Sequence, residues 1–435
     1  MNLKSNINSY VSLYETRLFV QYQSKKYLIL ILKTLIVCIV LLLLLYDYNK
    51  ITNNLAAITL VFISFLWVLE TLNNLPMFLM ASFIMYINYS ISIGEFLTTV
   101  PTSCPLNEVE NLVNYGIAIR VILVFITIVF IFYKPRPYLT FNRPFEIEND
   151  FVFLSMIFIS IYIFFQTRDI DRTVYNVAIT PAFEYSKIFF LSSSFMVGKK
   201  KWRKVLIIIL SLLYILKDFY YGGRVTSLQI IFVLILTLFI EHLDYSKLLL
   251  LGFFGLILLS FIGAYRASYT FNISLFDVLK ILFSSLFVFD TATYSFYASA
   301  THIAASQIAN LDLKFESFFQ FLGAVFTSSS FFSKSDVTTL SAQFYLNVGG
   351  GILPTHFYFW GSWSMVILFG LLFVFFLNRL RYNSSLLARL TFLTIVISSP
   401  RWYVYGPLNL LRGAIFLPVI VYIFILILNS LSRHK

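Results

Sequence analysis

Apolar residues fall in uninterrupted runs of about 15 to 22 positions, separated by short polar segments that carry most of the charge. A run of about 18 such residues is long enough to cross the hydrocarbon core of a bilayer. The pattern predicts about twelve spans, at 27–46, 55–69, 75–93, 113–133, 151–165, 178–197, 204–216, 225–240, 248–263, 358–377, 386–399 and 409–428. The fold class is therefore all-α, a polytopic transmembrane helix bundle. A transmembrane β-barrel would show short alternating segments instead. Met1 to Lys26 is polar and is followed by no small-residue cleavage site, so Tyr27–Tyr46 reads as an uncleaved first span.

This divides the chain into a cytoplasmic N-terminal segment (1–26), nine helices (27–263), a large outer loop (264–357), three last helices (358–428) and a cytoplasmic tail (429–435). The loop holds two apolar stretches, Leu275–Phe289 and Phe315–Phe326. Asp277 and Lys280 interrupt the first, which favours helices lying at the interface or folded over the outer face. A loop of this length with its own helical pattern points to function more than to linkage. No internal repeat is visible.

Composition excludes soluble, disordered and fibrous proteins. Of the 435 residues 59% are hydrophobic and 12% charged, and the mean hydropathy is +0.84, whereas soluble domains carry roughly 25% charge. Of the two cysteines, Cys38 lies in an apolar run and Cys104 in a polar loop, and no metal-ligand spacing occurs. The net charge of +12 is explained by topology, without a nucleic-acid partner. With the N-terminus inside, cytoplasmic segments hold 18 Lys and Arg, including Lys199–Lys204 and Arg379/Arg381/Arg389. The longer outer segments hold 11, and Lys33, Arg120 and Lys187 fall within spans. The 49 Phe and 28 Tyr read mainly as packing and interfacial anchors.

Positive-inside bias should deplete the outer side of arginine, yet Arg168, Arg172, Arg224, Arg266, Arg401 and Arg412 sit there near span ends. Arg172, Arg224 and Arg412 precede or open helices that start at the outer face, where free N–H groups and the positive dipole end favour anions. Arg120 lies about two turns down its span, and an ionisable residue there is a functional candidate. Together they predict an electropositive outer pocket for a phosphate or pyrophosphate group. The alternative is that each arginine snorkels to headgroups or pairs with a carboxylate. Asp169 and Asp171 look like a metal–phosphate pair, but Arg168 and Arg172 already neutralise them, so no metal is expected.

The outer loop closes with Ser341-Ala342-Gln343-Phe344-Tyr345-Leu346-Asn347-Val348-Gly349-Gly350-Gly351, followed by Pro354, His356, Phe357 and Gly361. Three glycines in a row predict irregular backbone, which membrane depth tolerates only where it is buried or lines a cavity. His356 and Asp218 are the candidate proton acceptors, ahead of Asp290 and His302. The plainer readings, which are the commoner ones for such residues, are simple hydrogen bonding of His356 and pairing of Asp218 with Lys217 or Arg224.

Gly222-Gly223-Arg224-x-x-x-Leu228 opening a span, the long late outer loop and Tyr345-x-Asn347-x-Gly349 before the next span resemble the O-antigen polymerases. Where family members often place an acidic residue before the aromatic-Asn-Gly segment, this chain has Gln343. The resemblance implies an enzyme at the outer (periplasmic) face of the bacterial inner membrane that acts on undecaprenyl-pyrophosphate-linked oligosaccharide. It implies transfer of a growing chain from its lipid carrier to a fresh lipid-linked repeat unit, a metal-independent step without soluble cofactor, and a chain-length regulator protein as partner. On that reading Arg224, Arg266, His356 and Asp218 are catalytic candidates and Arg120, Arg172, Arg401 and Arg412 further pyrophosphate ligands. Gln343, Tyr345 and Asn347 would face the sugars. A flippase for the same lipid, or an O-antigen ligase-type glycosyltransferase, is the competing expectation.

Overall fold

The computed structural model describes residues 29–97, 111–135, 149–166, 180–221, 223–240, 290–327, 329–347 and 349–433, with isolated positions at 109 and within 243–288. Arg172 and Arg266 lie outside the described residues, as do Arg168, Asp169 and Asp171. Residues 1–47 and 48–435 form separate units, and the first is represented by helix α1 (Ile29–Leu45).

Every regular element among the described residues is helical. The second unit contains α2 (Lys50–Thr71), α3 (Leu75–Ser92), α4 (Leu112–Phe132), α5 (Asp150–Phe165), α6 (Pro181–Phe195), α7 (Lys201–Tyr220) and α8 (Val225–Thr237). It continues with α9 (Asp290–Ile308), α10 (Leu311–Phe326), α11 (Val337–Ser341), α12 (Leu353–Tyr382), α13 (Leu386–Ile397) and α14 (Ser399–Tyr405). The last helix, α15, begins as a π-helix over Asn409–Phe416 and runs on to Arg433. Five helices are long and apolar enough to cross a membrane: Lys50–Thr71, Leu75–Leu97, Val113–Phe132, Leu353–Tyr382 and Asn409–Ser432.

Asparagine sets many of the helix starts. Asn49, Asn74, Asn111, Asn149 and Asn310 each accept a bond from a first-turn amide of α2, α3, α4, α5 and α10. A side-chain oxygen there satisfies a donor that has no intrahelical partner. Asn49 adds a reciprocal bond with Thr52, which starts α2 five residues before its apolar run.

Polar staples fix the packing of α2, α3 and α14. Asn88 donates to Ser64 Oγ (2.9 Å) and accepts from the Tyr403 hydroxyl (2.7 Å). Where the surroundings are apolar, such bonds between helices are worth on the order of 0.6 kcal/mol each and also fix rotation. At the other ends Asp150 pairs with Lys200 (2.5 Å) and with Arg203, while Arg381 bonds the Lys134 carbonyl and lies 4.8 Å from the Tyr133 ring. These basic residues belong to the segments read as cytoplasmic.

The segment expected to be one outer loop contains α9, which packs against α3, α4 and α12 and is buried at every position from Ala292 to Ser306 except Tyr294. Its Ala, Ser and Thr side chains let neighbouring backbones approach closely. That same polarity hides it from an apolar-run reading. The second apolar stretch of the loop is α10. Its outward stripe is Leu311, Phe315, Phe319, Leu322 and Phe326, while Phe321 packs 4.7 Å from the Trp360 ring of α12.

Candidate anion site and glycine segment

Glu184, Tyr185 and Lys187 lie on the first two turns of α6, and Arg401 of α14 reaches them. Arg401 Nε is 2.8 Å from Glu184 Oε1, and its guanidinium lies 4.1 Å from the Tyr405 ring centroid. Arg412 comes from the π-helical start of α15. Its guanidinium donates to the Ala324 carbonyl of α10 (Nε, 3.0 Å), and its charge and that of Arg401 both act on the Tyr185 phenol. The next residue, Gly413, lies against that same ring: a Cβ there would be 3.0 Å from Tyr185 Cε1. π-Helical turns are frequent at functional sites because they re-aim side chains.

Lys187 follows Glu184 by three positions on α6. It is 2% exposed, and its ammonium lies 5.9 Å from the Tyr185 ring centroid and donates to Gln229 Oε1 of α8 at 3.0 Å. Gln229 is fully buried, and its Nε2 has no hydrogen-bond partner among the described residues. The Arg401 side chain is 30% exposed and that of Glu184 19%. The cluster thus gathers Arg401, Arg412 and Lys187 around one carboxylate, Glu184, with Arg401 and Glu184 partly exposed.

The other arginines are placed differently. Arg224 precedes α8 and donates to both oxygens of Asp290 (2.9 and 3.1 Å) and to Thr291 Oγ1, tying the starts of α8 and α9 together. It stands five residues before Gln229, a rise on the order of 8 Å. Arg120 is fully buried in α4 and stacks 4.3 Å from the Tyr48 ring centroid, apart from the α6–α14–α15 cluster. So Arg401 and Arg412 both approach Tyr185, Arg224 caps the start of the helix that carries Gln229, and Arg120 lies in α4.

Asp218 caps a helix. One carboxylate oxygen accepts from both the amide and the hydroxyl of Ser227, each at 2.8 Å, satisfying the first turn of α8. It does not pair with Lys217 or Arg224: Lys217 donates to the Phe164 carbonyl, and Arg224 takes Asp290. Gly223 makes room for this cap, because a Cβ there would stand 2.1 Å from Asp218 Oδ1.

Gly349, Gly350 and Gly351 have φ of +91°, +86° and +124°, conformations that side chains rarely adopt. The segment runs between α9 and α14: Gly351 N–H donates to the Val404 carbonyl (3.0 Å), and Ile352 N–H to Ser299 Oγ (2.8 Å). Asn347 braces it, donating to Thr301 Oγ1 and Ser341 Oγ and accepting from Gly349 N–H. Tyr345 is half-buried beside it and Gln343 is exposed. His356 is 2% exposed, with Nε2 donating to the Gly351 carbonyl at 3.3 Å. Its ring centre is 4.5 Å from that of the fully buried His302, whose ring nitrogens face Thr338 and Thr355. Both imidazoles are thus enclosed, whereas the Asp290 side chain is 38% exposed.

Sequence reasoning passed over Glu184, Lys187 and Gln229. The usable signal is Glu184-x-x-Lys187, which puts two charges on one face of a helix inside an apolar run. No family model, curated protein or solved structure matches the chain.

Proposed function

We propose that this protein polymerises undecaprenyl-pyrophosphate-linked oligosaccharide repeat units at the periplasmic face of a bacterial inner membrane. The observation that carries the proposal is the approach of Arg401 and Arg412 to Tyr185 beside the partly exposed Glu184, among helices apolar enough to cross a membrane. A polyprenol requires apolar surface between helices, and its diphosphate requires guanidinium donors at the edge of that surface. In the transfer an acceptor hydroxyl attacks the anomeric carbon of the growing chain. The bond from that carbon to the pyrophosphate oxygen breaks, and the electron pair leaves with the pyrophosphate. Fixed cations lower the barrier because negative charge grows where they already point. The hydroxyl proton needs an exposed acceptor. Asp290, oriented by Arg224, meets that need better than the enclosed His356 or the capping Asp218. Asn347, Tyr345 and Gln343 stand on the side of α14 where the glycine segment lies, a position suited to the sugars.

The test is extension of purified lipid-linked repeat units by the purified protein, read as a ladder of products. A ladder that Arg401→Lys and Arg412→Lys each shorten supports the proposal. Absence of any product from a folded protein supplied with a matched repeat unit overturns it.

A flippase for the same lipid is the second reading, and one observation favours it. Helix α12 is broken at Gly361 and Ser362, and discontinuous helices are common around transporter sites. Transfer of labelled lipid-linked oligosaccharide across proteoliposomes, without change in its length, would support that reading over polymerisation.

A further inference from the structure

At the turn between α9 and α10 lies a cleft of about 410 Å³ whose walls mix charge with apolar surface. Asp312, Leu313 and Glu316 line it from the first two turns of α10, Lys334 from the connection that follows that helix, and Phe344 from the segment before the glycines. Lys334 Nζ is 2.6 Å from Glu316 Oε2. Gln320 fixes this pair from both sides: its Nε2 donates to Glu316 Oε1 (3.0 Å), and its Oε1 accepts from the Lys334 N–H (2.9 Å). Asp312 is exposed and pairs with no cation among the described residues. Asp336 accepts from the Thr338 amide and the Thr339 hydroxyl at the start of α11, and Lys314 falls on the far flank of α10 by helical period. The cleft therefore holds two carboxylates against one ammonium. Its uncompensated negative charge shares the lining with an aromatic ring, a group whose face attracts cations.

The outward stripe of α10 adjoins these charges. Successive helical positions turn by about 100°, so Asp312 and Glu316 flank the exposed row of Leu311, Phe315, Phe319, Leu322 and Phe326. From Ser317 to Phe326 the helix carries no charge. The rise from Glu316 to Phe326 is about 15 Å, half the thickness of a hydrocarbon core. Charges at one end and apolar side chains along the depth of one leaflet match the layout of a phospholipid. An anionic phospholipid would bring a further negative charge to Asp312, whereas a zwitterionic one brings a cation.

We propose that this cleft binds the headgroup of a zwitterionic aminophospholipid, a primary ammonium joined through phosphate to diacylglycerol. The ammonium sits on Asp312 beside Phe344, the phosphate meets Lys334, and the acyl chains lie along the stripe of α10. Such a lipid sets the depth of α10, which packs through Phe321 on Trp360 of α12. The site asks nothing of glycosyl transfer and is filled whether the protein polymerises or transports.

The experiment is native mass spectrometry of the full-length protein, with wild type and one variant mixed in the same detergent sample. The mixture is titrated with phosphatidylethanolamine or with phosphatidylglycerol of identical acyl chains. Lipid bound elsewhere is common to both proteins, so the difference between them reads this site alone. Asp312→Asn removes one charge at an exposed position and should weaken phosphatidylethanolamine binding about three- to fivefold, the worth of one partly exposed ion contact. Binding of phosphatidylglycerol should stay level or rise. Phe344→Leu keeps the apolar packing but loses the ring, and should weaken phosphatidylethanolamine about two- to fivefold without changing phosphatidylglycerol. Phe319→Ser interrupts the stripe and should weaken both lipids alike. Equal binding of phosphatidylethanolamine by wild type and Asp312→Asn would overturn the proposal. A loss of the same size for phosphatidylglycerol would overturn it too, because the headgroup would then not be read. A lysine-rich amphipathic peptide that displaces the lipid from wild type but not from Asp312→Asn would give the cleft to a basic protein partner and overturn the lipid as its occupant. Should Asp312→Asn fail to fold, Phe344→Leu decides by the same two titrations.

Discussion

Replacing Gly223 by alanine tests whether the start of α8 is built as described. A Cβ at this position would lie 2.1 Å from Asp218 Oδ1, 2.7 Å from its Cγ and 3.1 Å from its carbonyl oxygen. The carboxylate must therefore swing away, and with it go the two 2.8 Å bonds that Asp218 accepts from Ser227. Hydrogen bonds to a charged group contribute about 1.5–3 kcal/mol each, and loss of a helix cap alone costs about 0.5–2 kcal/mol. Partial relaxation keeps the sum at about 2–4 kcal/mol, enough to lower a thermal midpoint by several degrees. The assay is a thermal-unfolding series on detergent-solubilised wild type, Gly223→Ala, Asp218→Ala and the double variant. Once Asp218 is truncated the added methyl meets no carboxylate, so the second substitution should cost less than about 1 kcal/mol on top of the first. Additive losses across the four proteins would refute the cap, and an unshifted Gly223→Ala would refute the close approach itself.

Ser362→Gly should stabilise the protein by about 1 kcal/mol, since serine at φ +55° and ψ −149° occupies a region that is nearly glycine-only; a raised thermal midpoint checks it. Gly351→Ala should disorder the glycine segment, because its Cβ would fall 2.2 Å from His302 Cε1 at a φ of +124°; a cysteine placed at Tyr345 should then react faster with a water-soluble maleimide. Arg401→Lys keeps the charge but loses the fork, and should lower the rate of chain extension by roughly 100-fold in a single-turnover assay. Asn88→Leu removes a donor to Ser64 and an acceptor from Tyr403 at once and should cost about 1–3 kcal/mol, read as a lower unfolding midpoint.

Several long apolar runs were legible as helices, and five helices are long and apolar enough to cross a membrane. The reading 75–93 meets α3, 113–133 meets α4, and 409–428 falls inside α15. Their true starts were also written in the chain, as asparagines one residue upstream of α2, α4 and α5, but a hydropathy run cannot register a cap. Helix α9 was illegible for a different reason. Its burial comes from many small and hydroxyl side chains packing against three other helices, and only the partners' positions make such a segment an interior one. The irregular glycine segment was foreseen from composition, since three glycines followed by Pro354 permit little else. For the site, Arg401 and Arg412 could be named from their place near outer helix ends, but not their meeting. They lie eleven positions apart across a break at Gly406 and a π-helix, and no helical period predicts where either points.

Helix α14 links the Arg401–Glu184 pair to the glycine segment. It has seven residues, with Arg401 near its start held by Glu184 and the Val404 carbonyl near its end bonded to Gly351. Buried Trp402 and Tyr403 lie between them, the first bonded to the Ile395 carbonyl and the second to Asn88. A helix this short has too few internal bonds to hold its own shape, so these four outside contacts set its position. Anything that pulls Arg401 away from Glu184 therefore acts on an element whose far end is fastened to Gly351. Gly406, at φ +96° directly after the helix, gives the chain a place to turn. The glycine segment on one side and Arg401 on the other are thus joined through one short element held by its outside contacts, so a change at the Arg401–Glu184 pair bears on Gly351.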